Sequence, residues 1–267
     1  MVLSEDVNRM TNHQITLCER TDQYGSFFCI GGSMKKYDVV YILKNDVRPD
    51  EIRYSLRSIE QNLEHGNVWF FGGIPEGIRP DRAYVMQQTG VLKWEKARSS
   101  LIAACKCPEV SERFWLFNDD FFVLRPVTSD TPMFGGLLRD HILSVEHRHG
   151  DKRTSYTRAL RYCEQTLQDA DLTTFDYALH VPMIVDKKKM LEALETFPDC
   201  PMFRSVYGNY AEAGGIQHDD VKIVSLTGRI PDGADFVSTN DGSFHLGIVG
   251  KQLRGMFRNK CKYERFG

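Results

Sequence analysis

The sequence predicts an α/β domain built on a mainly parallel central sheet flanked by helices. Three observations carry this. Short runs rich in β-branched and aromatic residues alternate with segments whose apolar residues recur at helical spacing. The intervening helices run to about 12 residues, the length a crossover between parallel strands requires. The chain has 267 residues, 42% of them apolar, enough for one large domain or two small ones with a sizeable core.

Residues 1–36 form a mixed N-terminal extension that ends in the basic, glycine-containing stretch CIGGSMKK. The first clear strand is YDVVYIL (Tyr37–Leu43). In the segment that follows, Asp50 is placed to cap a helix in which Ile52, Leu56, Ile59 and Leu63 share one face. NVWFFGG (Asn67–Gly73) reads as a second strand ending at glycines, and RAYVMQQ as a third. KWEKARSSLIAACK reads as a helix with Trp94, Ala97, Leu101 and Ala104 on one side. RFWLF is the fourth strand, with Asn118, Asp119 and Asp120 at its C-terminal end. Ligands of such sheets bind beyond the carboxyl ends of the strands, so these three residues are expected at the edge of a crevice.

The second half is less regular. SYTRALRYCEQTL places Tyr156, Leu160, Cys163 and Leu167 on one helical face. KKKMLEALETFP is a helix stopped by Pro198, and HLGIVGKQLRGMFR is a last one. With no repeat, low-complexity segment or linker, residues 37–267 read as a single domain. A helical, basic insertion occupies about 137–175.

Charge and cysteine usage exclude several classes. A formal net charge of −2 gives no global attraction to nucleic acid or anionic membrane. The longest apolar runs fall short of the roughly 18 residues that span a bilayer. The N-terminus lacks the basic-then-apolar pattern of a secretory signal, so a cytoplasmic protein is expected. Seven scattered cysteines, with only Cys105 and Cys107 close together, make neither a disulfide framework nor a zinc site.

Adjacent carboxylates at a strand end suit a hard divalent cation such as Mg²⁺ or Mn²⁺, which takes oxygen ligands and leaves room for substrate phosphates. Glycosyltransferases of the GT-A type use acidic motifs in this way. Asn-Asp-Asp is also a good turn, but two charges between RFWLF and FFVL are in an unusual place for a turn alone. STNDGSFHLG supplies a second acidic pair, Asn240 and Asp241, which is either a helix cap or a partner in the same site. His180 lies on an apolar segment, where a histidine is ordinarily a satisfied core residue. Arg204 either clamps a phosphate bidentately or pairs on the surface. His141, His147 and His149 lack zinc-site spacing. With Arg139, Arg148, Lys152, Arg153, Arg158 and Arg161 they form either a solvated face or a strip for an anionic acceptor.

In order, these pieces resemble the Stealth family of sugar-phosphate transferases. YDVVYILKND is similar to the first family block. DEIRYSLRSIEQN, VWFFGGIPEGI and FWLFNDDFFV resemble the second, HVPMIVDKKKMLEALETFP with downstream FRS the third, and STNDGSF with MFRNKCKYE the fourth. The resemblance implies a GT-A-like fold, a nucleotide-sugar donor, foremost a UDP-sugar, and a divalent cation. It implies that Asp38, Tyr41, Arg53, Arg57, Asn118 and Asn240 lie around the donor. Asp119, Asp120 and Asp241 would serve the metal, and His180 and Arg204, with Asp120 and Asp241, the catalysis. The expected reaction transfers a sugar-1-phosphate to an acceptor hydroxyl on a glycan, wall polymer, protein or nucleic acid. Transfer of the sugar itself is the alternative, and an inactive sugar-nucleotide-binding module the lesser one.

Overall fold

The computed structural model describes residues 36–149 and 154–264, all of which belong to one compact unit. The N-terminal extension therefore lies outside the described residues except for Lys36. So do Lys152, Arg153 and the side chain of His149.

The elements run β1 (Asp38–Ile42), α1 (Pro49–Asn62), β2 (Val68–Gly72), β3 (Arg82–Val85), α2 (Lys93–Lys106), β4 (Arg113–Phe117), β5 (Phe121–Val123) and β6 (Met133–Phe134). Then come α3 (Leu138–His149), α4 (Ser155–Asp169), β7 (Met183–Asp186), α5 (Lys187–Thr196) and α6 (Phe203–Tyr210). The chain finishes with β8 (Ile216–Gln217), β9 (Lys222–Ile223), β10 (Phe236–Thr239), α7 (Asp241–His245) and α8 (Ile248–Met256).

The main sheet has the order β3-β2-β1-β4-β7. Its first four strands are parallel, and β7 closes one edge antiparallel to β4. The expected α/β class and mainly parallel sheet are thus what the chain adopts. β1, β2 and β4 are buried on both faces, which is why they read as unbroken apolar runs rather than alternating ones. One face packs Leu101, Ala104 and Met190 against Val40, Phe71 and Leu116. The other packs Ile52, Leu56 and Ile59 of α1 against Tyr41, Phe70 and Phe117.

At the end of β4 the chain turns through Asn118-Asp119-Asp120 and leaves the sheet. β5 joins a second sheet, β5-β10-β9, with Phe121 opposite Ser238 in an antiparallel pair and Ser238 beside Lys222 in a parallel one. The acidic turn is therefore the hinge between two sheets.

Three local expectations change. Asp50 does not cap α1: Arg48 occupies the cap without a side-chain bond, and Pro49, whose ring pre-sets helical φ, opens the helix. Asp50 and Glu51 stand in the first turn instead, where the helix dipole favours them. On α4, Thr157 is buried with Leu160, Cys163 and Leu167, while Tyr156 is exposed. The final helix begins at Ile248, because the chain first makes the short α7 and bends at Leu246–Gly247. The two helices then pack so closely that a Cβ at Gly250 would collide with the Phe244 carbonyl.

Candidate active site

Asp119 and Asp120 are half-buried at the carboxyl end of β4, and the Phe121 N–H donates to the Asn118 carbonyl at 3.3 Å to close the turn. Asp120 Oδ2 accepts from Lys222 Nζ at 3.0 Å and from Ser238 Oγ at 3.2 Å. Pairing of β5 with β10 thus delivers the second acidic pair to the first. Asn240 caps α7, its Oδ1 accepting from the Ser243 N–H at 2.8 Å. Asp241 follows it, exposed in the first turn.

A fourth carboxylate arrives from α1. Glu51 accepts from Thr239 Oγ1 at 2.8 Å and feels the charges of Asp120, Asp119 and Asp241. Burial first, and these neighbours after it, push its carboxyl up to about 7. Asp119 is raised for the same reasons, burial and then Asp120. Neither Glu51 nor Lys222 was singled out by sequence, since an acid in a helix's first turn and a lysine in a short strand carry no local signature.

This predicts a pH effect. A carboxyl whose folded-state value is raised is most favourable to folding below its ordinary value of 4.5, and stability falls as pH rises from there to about 7. Glu51→Gln, which keeps an acceptor for Thr239, should therefore melt at a higher temperature than the parent at pH 8. Thermal melts at pH 4 should erase that advantage, and an equal gain at both pH values would reject an ionised, buried Glu51 as its cause.

His180 is half-buried just before β7, not sealed in the core. Its Nδ1 lies 2.9 Å from Asp220 Oδ2, and its backbone N–H donates to Oδ1 of the same carboxylate at 3.0 Å. Burial would raise the Asp220 carboxyl, but these bonds outweigh it and hold the group below the ordinary range. The Nδ1 proton is thereby fixed toward Asp220, leaving Nε2 as the basic nitrogen. The ring stands edge-on to Phe121, 6.3 Å between centroids.

Arg204 is a correction. It is neither a surface pair nor a phosphate clamp. Only 7% exposed, it donates to the carbonyls of Val181 at 2.6 Å, Leu116 at 3.2 Å and Leu179 at 3.3 Å. Its guanidinium lies 5.0 Å over the Phe121 ring. Burial lowers it to about 10, with Asp120 and Asp220 pulling the other way. It binds the end of β4 to the His180 segment, beneath the site.

Three expected donor contacts move elsewhere. Asp38 opens β1, so it lies at the opposite end of the sheet, roughly 13 Å of strand from the carboxyl edge. There it accepts from Asn67 N–H at 2.8 Å, Trp69 Nε1 at 3.0 Å and Ser111 N–H at 3.1 Å, tying β1 to the segments that lead into β2 and β4. Tyr41 is fully buried, its hydroxyl 2.7 Å from Ser55 Oγ, because β1 is covered on both faces. Arg57 is buried against Glu264 and the carbonyls of Phe257 and Arg258, and so anchors the C-terminal segment. Arg53 remains near the surface and lines a cavity beside α1. In the basic strip, Arg161 pairs with Glu146 and His141 with Asp176.

Among the described residues, no three His, Cys, Asp or Glu side chains converge to hold an ion. A Mg²⁺ site working with substrate phosphates needs less, one or two carboxylates and several waters. Asp119 and Asp120 meet that need in chemistry, with Asp120 first released by Lys222. The five described cysteines are unpaired, and no helix among the described residues is long and apolar enough to cross a membrane.

No family model and no curated protein matches the chain. Among solved structures it is similar to the galactosyltransferase LgtC in complex with donor and acceptor sugar analogues. That match has a TM-score of 0.47 and 10% identity, over 84% of this chain and 96% of the other. It is also similar to an active-site mutant of LgtC, with a TM-score of 0.45 and 11% identity, over 82% and 94% of the two chains.

Proposed function

We propose that the chain is a nucleotide-sugar-dependent glycosyltransferase of GT-A-like architecture, with residues 37–267 as its catalytic domain. The observation that carries the reading is the meeting of both Asn-Asp motifs at the carboxyl edge of a parallel sheet, where such folds bind ligands. Asp119 and Asp120 would hold a divalent cation against the donor diphosphate. When bound, such a cation would supply positive charge that stabilises the diphosphate as a leaving group. His180, oriented by Asp220, takes the proton of the acceptor hydroxyl on Nε2. The hydroxyl oxygen forms its bond to the anomeric carbon, and the bond from that carbon to the diphosphate breaks. The diphosphate departs with the electron pair. Lys222, which pairs with Asp120 at 3.0 Å, would give up that contact to the cation.

The sequence blocks favour sugar-1-phosphate transfer, but that reading needs Arg204 on the transferring phosphoryl group. Arg204 is buried and spent on three carbonyls, which favours transfer of the sugar. A UDP-sugar is the expected donor, and a glycan the expected acceptor.

Incubation with nucleotide sugars and Mg²⁺ or Mn²⁺ tests the choice. Release of a nucleoside diphosphate, with the sugar joined to the acceptor, is expected. A nucleoside monophosphate product would restore the phosphotransfer reading. Donor binding without turnover or metal dependence would indicate an inactive binding module.

A further inference from the structure

A cavity of about 360 Å³ lies beside the acidic edge, lined by Asp50, Arg53 and Tyr54 of α1, Phe244 and His245 of α7, and Arg254 of α8. Its charges do not balance internally. The neighbouring carboxylate, Glu264, is already engaged by Arg57 through both oxygens, at 2.5 and 2.6 Å. Arg53 Nε lies 3.4 Å from it and is buried with no hydrogen-bond partner. Arg254 donates to the Phe244 carbonyl at 2.5 Å and pairs with no carboxylate among the described residues. The remaining acid, Asp50, is exposed at the mouth and stands 3.9 Å from His245 Nε2. Two guanidinium groups therefore face one solvated carboxylate and a histidine, around an aromatic floor in which Tyr54 and Phe244 pack at 5.8 Å.

We propose that this cavity binds the anionic group, a phosphate or carboxylate, of a substrate whose reacting end lies at the acidic edge. Guanidinium donors in a partly desolvated pocket are the side chains best suited to planar and tetrahedral oxyanions. The placement links the cavity to the site. Glu51 and Asp50 are consecutive on α1, and Asp241 and His245 open and close α7, roughly 6 Å of helix apart. Asp50 is the one carboxylate among the lining residues and would repel an anion, so the anion is assigned to Arg53 and Arg254. Anion binding itself stands on the cavity alone. Only the identity of the molecule carrying the anion rests on the transferase reading.

Calorimetric titration of the full chain at constant ionic strength tests it, using inorganic phosphate and, separately, UDP. Wild type, Arg53→Gln, Arg254→Gln and Arg254→Lys are compared after their melting curves have been recorded. Phosphate should bind wild type and lose about tenfold or more in each Gln variant, the effect of one missing charge-assisted hydrogen bond. Arg254→Lys, which keeps the charge, should lose less. UDP binding that weakens in parallel assigns the cavity to the donor's diphosphate. UDP binding that is unchanged assigns it to an anionic acceptor. No phosphate binding to wild type, or equal binding by all four proteins, overturns the proposal. If UDP still binds and nucleotide sugar still turns over in that case, the transferase reading survives alone. Phosphate binding that depends on Arg53 and Arg254 without any turnover would spare the cavity and remove the transferase.

Discussion

Glu264→Ala is expected to lower stability by about 3–5 kcal/mol, the cost of stranding a buried cation. Glu264 and Arg57 are 5% and 6% exposed, and two parallel bonds join them. Arg57 also donates to the carbonyls of Phe257 and Arg258 and lies 4.6 Å over the Tyr54 ring. Together these contacts clamp the C-terminal segment onto α1. Removing the carboxylate leaves the guanidinium buried with only neutral acceptors. Pairing Glu264→Leu with Arg57→Met should recover much of the loss, because replacing both partners removes the desolvation cost along with the attraction. Urea unfolding of Glu264→Leu, Arg57→Met and the double variant measures the coupling. Burial would raise the Glu264 carboxyl, but Arg57 and the Cys261 N–H outweigh it and hold the group low. The pair's contribution is therefore present above the ordinary carboxyl range and lost as pH falls through the lowered value. Additive single effects with no recovery in the double variant would show that the clamp is made of something else.

The centre of the main sheet was legible because β1, β2 and β4 are buried on both faces. Continuous apolar runs such as VWFF and FWLF are what such burial selects, and the α1 stripe Ile52, Leu56, Ile59 and Leu63 lies inside as its spacing implied. The second sheet was not, since β9 has two residues and β10 four, too few for a period to show. The site divides along the same line. The two Asn-Asp pairs were visible as polar punctuation after apolar runs. That β5 and β10 bring them together is a long-range pairing with no local trace. Asp220, Lys222 and Glu51 were missed because only tertiary contact distinguishes them from surface charges. Asp38 and Arg57 show the converse. Both are polar residues within family-like blocks, and both are consumed by the fold, one tying β1 to the segments that lead into β2 and β4 and the other anchoring the chain end.

Asp120→Asn is expected to reduce turnover by at least about a hundredfold, the scale on which removing a catalytic electrostatic contact acts. The substitution keeps size and hydrogen bonding to Ser238, so the hinge between β4 and β5 should hold. What it removes is charge. Lys222 would lose its anionic partner, and the edge would present one carboxylate in the turn instead of two. Cation binding should suffer with it, which a readout independent of turnover can detect. Nucleotide sugar with Mg²⁺ or Mn²⁺ should raise the melting temperature of the parent, because a ligand of the folded state stabilises it by mass action. In Asp120→Asn the metal-dependent part of that rise should disappear while any metal-independent part remains. Asp241→Asn provides the contrast, since Asp241 is exposed in the first turn of α7. A loss equal to that of Asp120 would place the cation between the two Asn-Asp motifs, and a small loss would leave it on the β4 turn. Full activity with unchanged metal response in Asp120→Asn would remove the cation from this edge altogether. The Asp119–Asp120 pair would then have to be explained by the acceptor.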